Sequence, residues 1–211
     1  VFIFDTEILN DLEDKKDKRV SFIYDTLESL KNELENLGSS LYVLNTTPLD
    51  AFKKLYEEFP EIEAVYSNHD YEPYAIERDA EIKSFLKEKN ISFHSYKDQV
   101  IFEKDEIVKP DGSPYIVYTP YSKKWKEKLS EFYLKPYPTS NYFSSLFQTN
   151  SFYFPNIEEI GFYKSNYDIV DKTLDLAVLK SYHKTRDIPA IKGTSKLSVH
   201  LRFGTISIRE L

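Results

Sequence analysis

The stretch Leu41-Tyr42-Val43-Leu44-Asn45-Thr46-Thr47-Pro48-Leu49-Asp50-Ala51-Phe52 passes from strand to helix with almost no connection. Leu41–Asn45 is a short apolar run suited to a buried strand. Thr47 offers a hydroxyl cap and Pro48 a first helical residue whose missing N–H costs nothing. The helix it opens runs to Phe59, and Pro60 stops it. Ile62–Ser67 is then a further strand. Upstream, Arg19 to Leu37 places Phe22, Ile23, Leu27, Leu30, Leu34 and Leu37 at three- and four-residue spacing before Gly38, which reads as an amphipathic helix with a glycine stop. Val1–Asp5 precedes it as a strand. Downstream, Tyr74–Lys89 reads as a helix and Ile91–Tyr96 as a strand. Strand and helix alternating over short connections predict an α/β fold, a doubly wound and mostly parallel sheet with helices on both faces.

Beyond this half the pattern changes. Asp111-Gly112-Ser113-Pro114 is a turn, and Thr119-Pro120 is expected to cap a helix holding Trp125 and Leu129. From Tyr133 to about Tyr167 the chain is rich in Pro, Asn, Ser, Tyr and Phe without a sustained period. That reads as a long connection whose aromatics lie against something. Helical periodicity resumes at Ile169-Val170 and continues through Leu174, Leu176-Ala177 and Leu179-Lys180. The expected organisation is an α/β domain over 1–132, an interdomain linker over 133–168 and the start of an all-helical domain over 169–211.

Composition narrows the function classes. The 211 residues contain no cysteine, which excludes disulfides, thiolate metal sites and cysteine nucleophiles. Methionine is also absent, where about four are expected at a usual frequency of roughly 2%. The expectation is a segment trimmed from a longer gene product, or methionines left out of the sequence. No apolar run approaches the ~20 residues of a membrane span and no signal peptide is visible, so a cytoplasmic location is expected. The formal net charge is −7, yet Lys180 to Leu211 carries +5, leaving −12 for the residues before it. A basic tail on an acidic body fits a C-terminal part that meets phosphates, or a chance cluster on a solvated face.

Few motifs carry chemistry. No Walker loop, dinucleotide fingerprint, HExxH pair or nucleophile elbow occurs. His69, His94, His183 and His200 are scattered without metal-ligand spacing and read as structural. Asn68-His69-Asp70-Tyr71-Glu72 follows the third strand, where ligands of open α/β sheets sit, and reads equally as a polar turn before the next helix. In Gly193-Thr194-Ser195-Lys196-Leu197-Ser198, three hydroxyls and a lysine stand at an expected helix start. This is a candidate phosphate site or an ordinary cap. The Tyr182 phenol reaches the same anion if the chain folds back.

Taken together, Tyr182-x3-Arg186-Asp187-x-Pro189 and Gly193-Thr194-Ser195-Lys196-Leu197-Ser198-x2-Leu201-Arg202-Phe203-Gly204-x2-Ser207-x-Arg209 resemble the opening of the FAD domain of DNA photolyases and cryptochromes. Arg19-x2-Phe22, Asn68-x-Asp70-Tyr71-x-Pro73-Tyr74-x3-Arg78-Asp79 and Gly112-x-Pro114-Tyr115-x-Val117-Tyr118-Thr119-Pro120-Tyr121-x-Lys123-x-Trp125 resemble the family's N-terminal Rossmann-like antenna domain. The resemblance implies that Thr194, Ser195, Lys196, Leu197 and Ser198 line the FAD diphosphate, with Tyr182 donating from a facing helix. It places Arg186 near DNA phosphates, where a structural ion pair with Asp187 is the alternative.

The implied activity is splitting of cyclobutane pyrimidine dimers in UV-damaged DNA by electron transfer from reduced FAD, carried out by a monomer. An antenna pigment (a folate, a deazaflavin or a second flavin) is a further expectation. The catalytic pocket and a strand before Val1 are expected outside this segment. A cryptochrome photoreceptor is one alternative and a stand-alone α/β nucleotide-binding or interaction module another.

Overall fold

A computed structural model of the chain describes residues 1–168 and 171–211. The expected helical restart at Ile169-Val170 lies outside the described residues. In chain order the elements are β1 (Phe2–Asp5), α1 (Thr6–Asn10), α2 (Lys18–Asn36), β2 (Val43–Thr46), α3 (Pro48–Glu58), β3 (Ala64–Asn68), α4 (Pro73–Glu88), β4 (Ser92–Tyr96), α5 (Tyr118–Lys128), α6 (Glu131–Leu134), α7 (Leu176–Thr185) and α8 (Ser198–Arg202). Short 3-10 turns cover Lys104–Glu106 and Thr139–Ser145. The described residues form two compact units, Val1–Asp11 with Val43–Leu134 and Leu12–Tyr42 with Lys135–Leu211.

The first unit holds the strands. β1 pairs with β2 in parallel, Phe2 opposite Val43 and Asp5 opposite Thr46. β3 pairs with β4 in parallel, Ala64 opposite Ser92 and Asn68 opposite Tyr96. β3, α4 and β4 form a strand–helix–strand unit, as the alternation predicted, whereas two helices, α1 and α2, stand between β1 and β2; the fold class is α/β. The hydroxyl of Thr47 accepts from the Asp50 amide at 3.4 Å, and Pro48 opens α3 as expected. Thr119, by contrast, does not cap α5. That helix starts earlier, at Tyr118 behind Val117, without a side-chain cap, and its exposed first turn leaves the free amides to water. Ile82, Leu86 and Ile91 form the centre of an apolar cluster with Phe52, Tyr56, Ile62, Val65, Phe85 and Phe93 around it. Burying a large aliphatic side chain in such a cluster stabilises the fold by about 1.5–3 kcal/mol.

The two strand pairs are separate two-stranded sheets among the described residues. A cavity of about 590 Å³ reaches Phe2 and Ile3 of β1 and Ala64, Val65, Tyr66 and Ser67 of β3. Successive residues of a strand point to opposite faces, so a cavity lined by consecutive residues borders a strand's edge rather than one face.

The second unit is built on α2. The helix ends in a Schellman turn: Gly38 takes φ of 78°, its amide donates to the Glu35 carbonyl at 3.0 Å, and the Ser39 amide donates to Leu34 at 2.9 Å. The glycine stop is therefore a left-handed residue that a side chain disfavours. The aromatic connection lies against this helix and its flanks, as its composition predicted. Phe154 packs edge-on to Tyr24 at 5.1 Å and Phe152 to Tyr42 at 5.1 Å, while Phe162 is buried. Polar ties follow the same path: the Ser165 amide donates to Ser21 Oγ at 3.0 Å and Lys31 Nζ donates to Ser151 Oγ at 2.7 Å. Tyr167 and Lys164 both bind the Asp25 carboxylate.

Candidate functional site

Two places in the molecule concentrate polar side chains, one in each unit. In the first unit the place is the C-terminal end of β3 and β4. The His69 amide donates to the Tyr96 carbonyl at 2.6 Å, which carries the ladder one residue past β3. The next residues turn around Asp70, whose carboxylate accepts from the amides of Tyr71 at 2.7 Å and Glu72 at 3.3 Å. The Asn68–Glu72 loop is thus a polar turn, although it supplies no side-chain cap to α4.

The side chains of this loop converge on Glu103. His69 Nδ1 lies 2.9 Å from its carboxylate, and the Tyr71 hydroxyl donates to the same oxygen at 2.6 Å. The other ring nitrogen of His69 lies 3.0 Å from Ser95 Oγ on β4. Beside this group, Lys97 donates to Glu106 at 2.6 Å, and the Glu106 carboxylate also accepts the Glu103 amide at 2.7 Å. The Tyr71 hydrogen bond, helped by His69, holds the Glu103 carboxyl below its ordinary range. Burial, with Glu103 behind it, pushes the Tyr71 phenol up to about 12.

A similar pair closes the end of β1, where Tyr74 donates to the buried Asp5 carboxylate at 2.6 Å. Burial first, and then that carboxylate, raise the Tyr74 phenol well above its ordinary value. Next to it a cavity of about 540 Å³ is lined by Glu7, Thr47, Asp50, Tyr74, Glu77, Arg78 and Glu81. Arg78 is paired with Asp79 at 2.8 Å, so the carboxylates set the sign of the field there. Glu103, Ser95, Glu106 and Asp5 were not among the residues singled out from sequence. The partners of Glu103, Ser95 and Asp5 stand 26 to 69 positions away. Glu106 is different, since it forms a capping box with Glu103 three positions before it, a local spacing that could have marked it.

In the second unit the place is the segment from α7 to α8. Asp175 caps α7 by accepting from the amides of Ala177 at 2.8 Å and Val178 at 3.3 Å. Tyr182 is on this helix and exposed, and Arg186 ends it. The Arg186 guanidinium lies 3.5 Å from the Asp187 carboxylate in an exposed pair, the alternative that sequence had left open for it. Such a pair is weak and leaves the guanidinium accessible.

Thr194, Ser195 and Ser198 are not helix caps. Lys196 takes φ of 56°, a left-handed conformation that interrupts any helical path, and α8 begins only at Ser198 with Leu197 as its uncapped flank. The hydroxyls of Thr194 and Ser195 are therefore left outside the helix, and that of Ser198 stands on its first residue. Thr194, Lys196 and Ser198 are exposed and Ser195 is half-buried. The three hydroxyls make no hydrogen bond among the described residues. Between them Leu197 is buried and acts as the anchor of the run. Downstream, the buried ring of His200 packs 6.0 Å from Phe22 and bonds Thr205 Oγ1 at 2.7 Å, a structural role as expected.

Comparison with known proteins adds the following. A family model described as DNA photolyase matches residues 1–141. The chain is 31% identical over 206 residues to the deoxyribodipyrimidine photo-lyase of Alkalihalophilus pseudofirmus, covering 90% of this chain and 42% of that protein. It is 28% identical over 155 residues to cryptochrome-2 of Gallus gallus, covering 68% of this chain and 26% of that protein. Among solved structures, an archaeal photolyase from Sulfolobus tokodaii, described with two FAD molecules, superposes with a TM-score of 0.62 at 25% identity. The match covers 99% of this chain and 46% of that one. The chain thus spans a little under half the length of the curated photo-lyases it matches first.

Proposed function

Since the chain belongs to the DNA photolyase family, we propose that it is the α/β antenna part, the connection and the first flavin-binding turns of a deoxyribodipyrimidine photo-lyase. The division into 1–132, 133–168 and 169–211 is part of this reading. So are a cytoplasmic monomer and UV-damaged DNA as substrate. No helix among the described residues is long and apolar enough to cross a membrane.

The observation that carries the reading is the run Thr194–Ser198. Its three hydroxyls lack partners among the described residues, and an exposed lysine stands between them. Such a set suits a diphosphate, which needs several donors and a nearby positive charge. Tyr182, Thr194, Ser195, Lys196, Leu197 and Ser198 would hold FAD, the hydroxyls and lysine by its diphosphate and Leu197 by fixing the backbone. When bound and reduced, FAD supplies the electron that splits the pyrimidine dimer. The chain's own residues bind and orient: Lys196 offsets phosphate charge, Tyr182 adds a donor from α7, and Arg186 offers a guanidinium to the DNA backbone.

Around the C-terminal ends of the strands, the carboxylates of Glu7, Asp50, Glu77 and Glu81 oppose a phosphate-bearing pigment. The cavity between the edges of β1 and β3 has the apolar lining of a slot for one further extended strand. Slow amide exchange along β3 in a longer polypeptide, against fast exchange in this chain alone, is the expected sign of that strand.

The decisive experiment is light-dependent repair. The full-length polypeptide with reduced FAD is expected to restore thymine-dimer-containing DNA under blue light. Flavin binding without any repair would turn the reading toward a cryptochrome photoreceptor, and neither binding nor repair toward a stand-alone α/β module.

A further inference from the structure

Between α7 and the hydroxyl run, the chain leaves the helix and returns to the residue it left from. The Ile188 amide donates to the Thr185 carbonyl at 3.0 Å, which turns the backbone out of α7. Gly193 then comes back onto Thr185. The Thr185 hydroxyl lies 3.1 Å from the Gly193 carbonyl and 3.2 Å from the Ser181 carbonyl, so one proton is shared between the loop and the helix.

Gly193 is buried, and the closure leaves no space for a side chain. A Cβ there would stand 2.6 Å from Thr185 Cβ, 2.7 Å from its Oγ1 and 2.9 Å from its backbone carbonyl oxygen. The last of these atoms cannot rotate away. Glycine is required here by close approach and not by a left-handed φ, in contrast to Gly38.

Two consequences follow for the candidate grip. Thr194 directly follows Gly193, so the start of the hydroxyl run is fixed wherever Thr185 fixes Gly193. Tyr182 precedes Thr185 by three positions on α7, and residues at that spacing share a helix face. The face that carries the Tyr182 phenol is therefore the face onto which the run is closed.

We propose that Thr185 and Gly193 form a strut that sets the flavin-diphosphate grip, with Thr185 as a positioning residue that never touches the ligand. The proposal rests on the assignment of Thr194–Ser198 to the FAD diphosphate. It predicts that damage to the strut weakens binding of flavins that carry the diphosphate and spares those without it.

The test compares dissociation constants of FAD and riboflavin, read by flavin fluorescence on the full-length polypeptide, because riboflavin shares the ring system and lacks the diphosphate. Gly193→Ala is expected to raise the FAD constant about tenfold or more, by forcing the run away from α7, with riboflavin changed by less than about twofold. Thr185→Val, which keeps the shape and removes the hydroxyl, is expected to raise the FAD constant about three- to fivefold. Thr185→Ser should restore it. The valine and serine pair carries the test if Gly193→Ala lowers the melting temperature enough to obscure binding.

A Thr194→Ala/Ser195→Ala control separates the two layers. If the control lowers FAD affinity while both strut variants leave the FAD-to-riboflavin ratio unchanged, the strut is overturned. If the control is silent as well, the diphosphate assignment itself fails, and the strut proposal with it.

Discussion

The network around Glu103 and the run Thr194–Ser198 are built from the same kinds of atom and put them to opposite use. At the end of β3, His69, Tyr71 and Ser95 are bonded to protein partners at 2.6–3.0 Å. Hydrogen bonds of this kind lock a turn onto a strand end and leave little capacity for a ligand. In the run after Gly193, three hydroxyls have no partner among the described residues. Water satisfies them at no gain to folding, so their contribution is available to a bound anion. The richer cluster of titratable groups is thus the one already bonded within the protein, and the plain hydroxyls keep their capacity for a ligand. A search guided by perturbed ionisation alone would select the bonded network and pass over the unbonded hydroxyls.

The sharpest way to break this contrast is to exchange the expected losses. Replacing Thr194 and Ser195 with alanine in the full-length polypeptide should weaken FAD retention by about 1–3 kcal/mol while changing thermal stability by less than about 0.5 kcal/mol. Equilibrium dialysis and a melting curve on the same sample read both quantities. A melting temperature that falls while flavin stays bound would move the run to the structural side.

Glu103→Gln should do the reverse. It removes a charged acceptor shared by His69 and Tyr71, and about 1 kcal/mol of stability is expected to go with it at pH 7. FAD affinity should not move. Retained stability with altered flavin binding would show that the network serves a ligand.

The smallest effects are the pH limits of the network. The folded state holds the Glu103 carboxyl below its ordinary value of 4.5, so its contribution is complete above that pH and is lost as pH falls through the lowered value. Tyr71 is raised from 10.0 to about 12, so its contribution is complete below pH 10 and is lost as pH rises from there to about 12. Melting temperature should therefore decline at both ends. Glu103→Gln should flatten the acid decline and Tyr71→Phe the alkaline one. Declines that survive both substitutions would assign the pH limits to other groups.

Much of the α/β half was legible in the sequence because its signals are local. Thr47-Pro48 starts α3 and Gly38 ends α2 through bonds to residues three to five positions away. The strands and the two long helices of that half appear within a residue or two of where periodicity placed them. Local signals also misled. Thr119-Pro120 and Thr194-Ser195 have the composition of caps, yet Val117 and Leu197 stand at those helix starts. In the second case the cause is the left-handed Lys196, which nothing in the residue type announces.

Sequence by itself determined the element types, the parallel α/β class and the hydroxyl-rich motif, since these follow from dihedral preferences and periodicity over a few residues. Tertiary structure alone decided which polar groups acquire partners. His69 meets Glu103 across 34 positions, and Lys31 meets Ser151 across 120. It also decided that Gly193 closes on Thr185, which brings the face of Tyr182 to the run. Such pairings depend on where distant segments pack, and packing is a property of the whole set of contacts rather than of any stretch of chain.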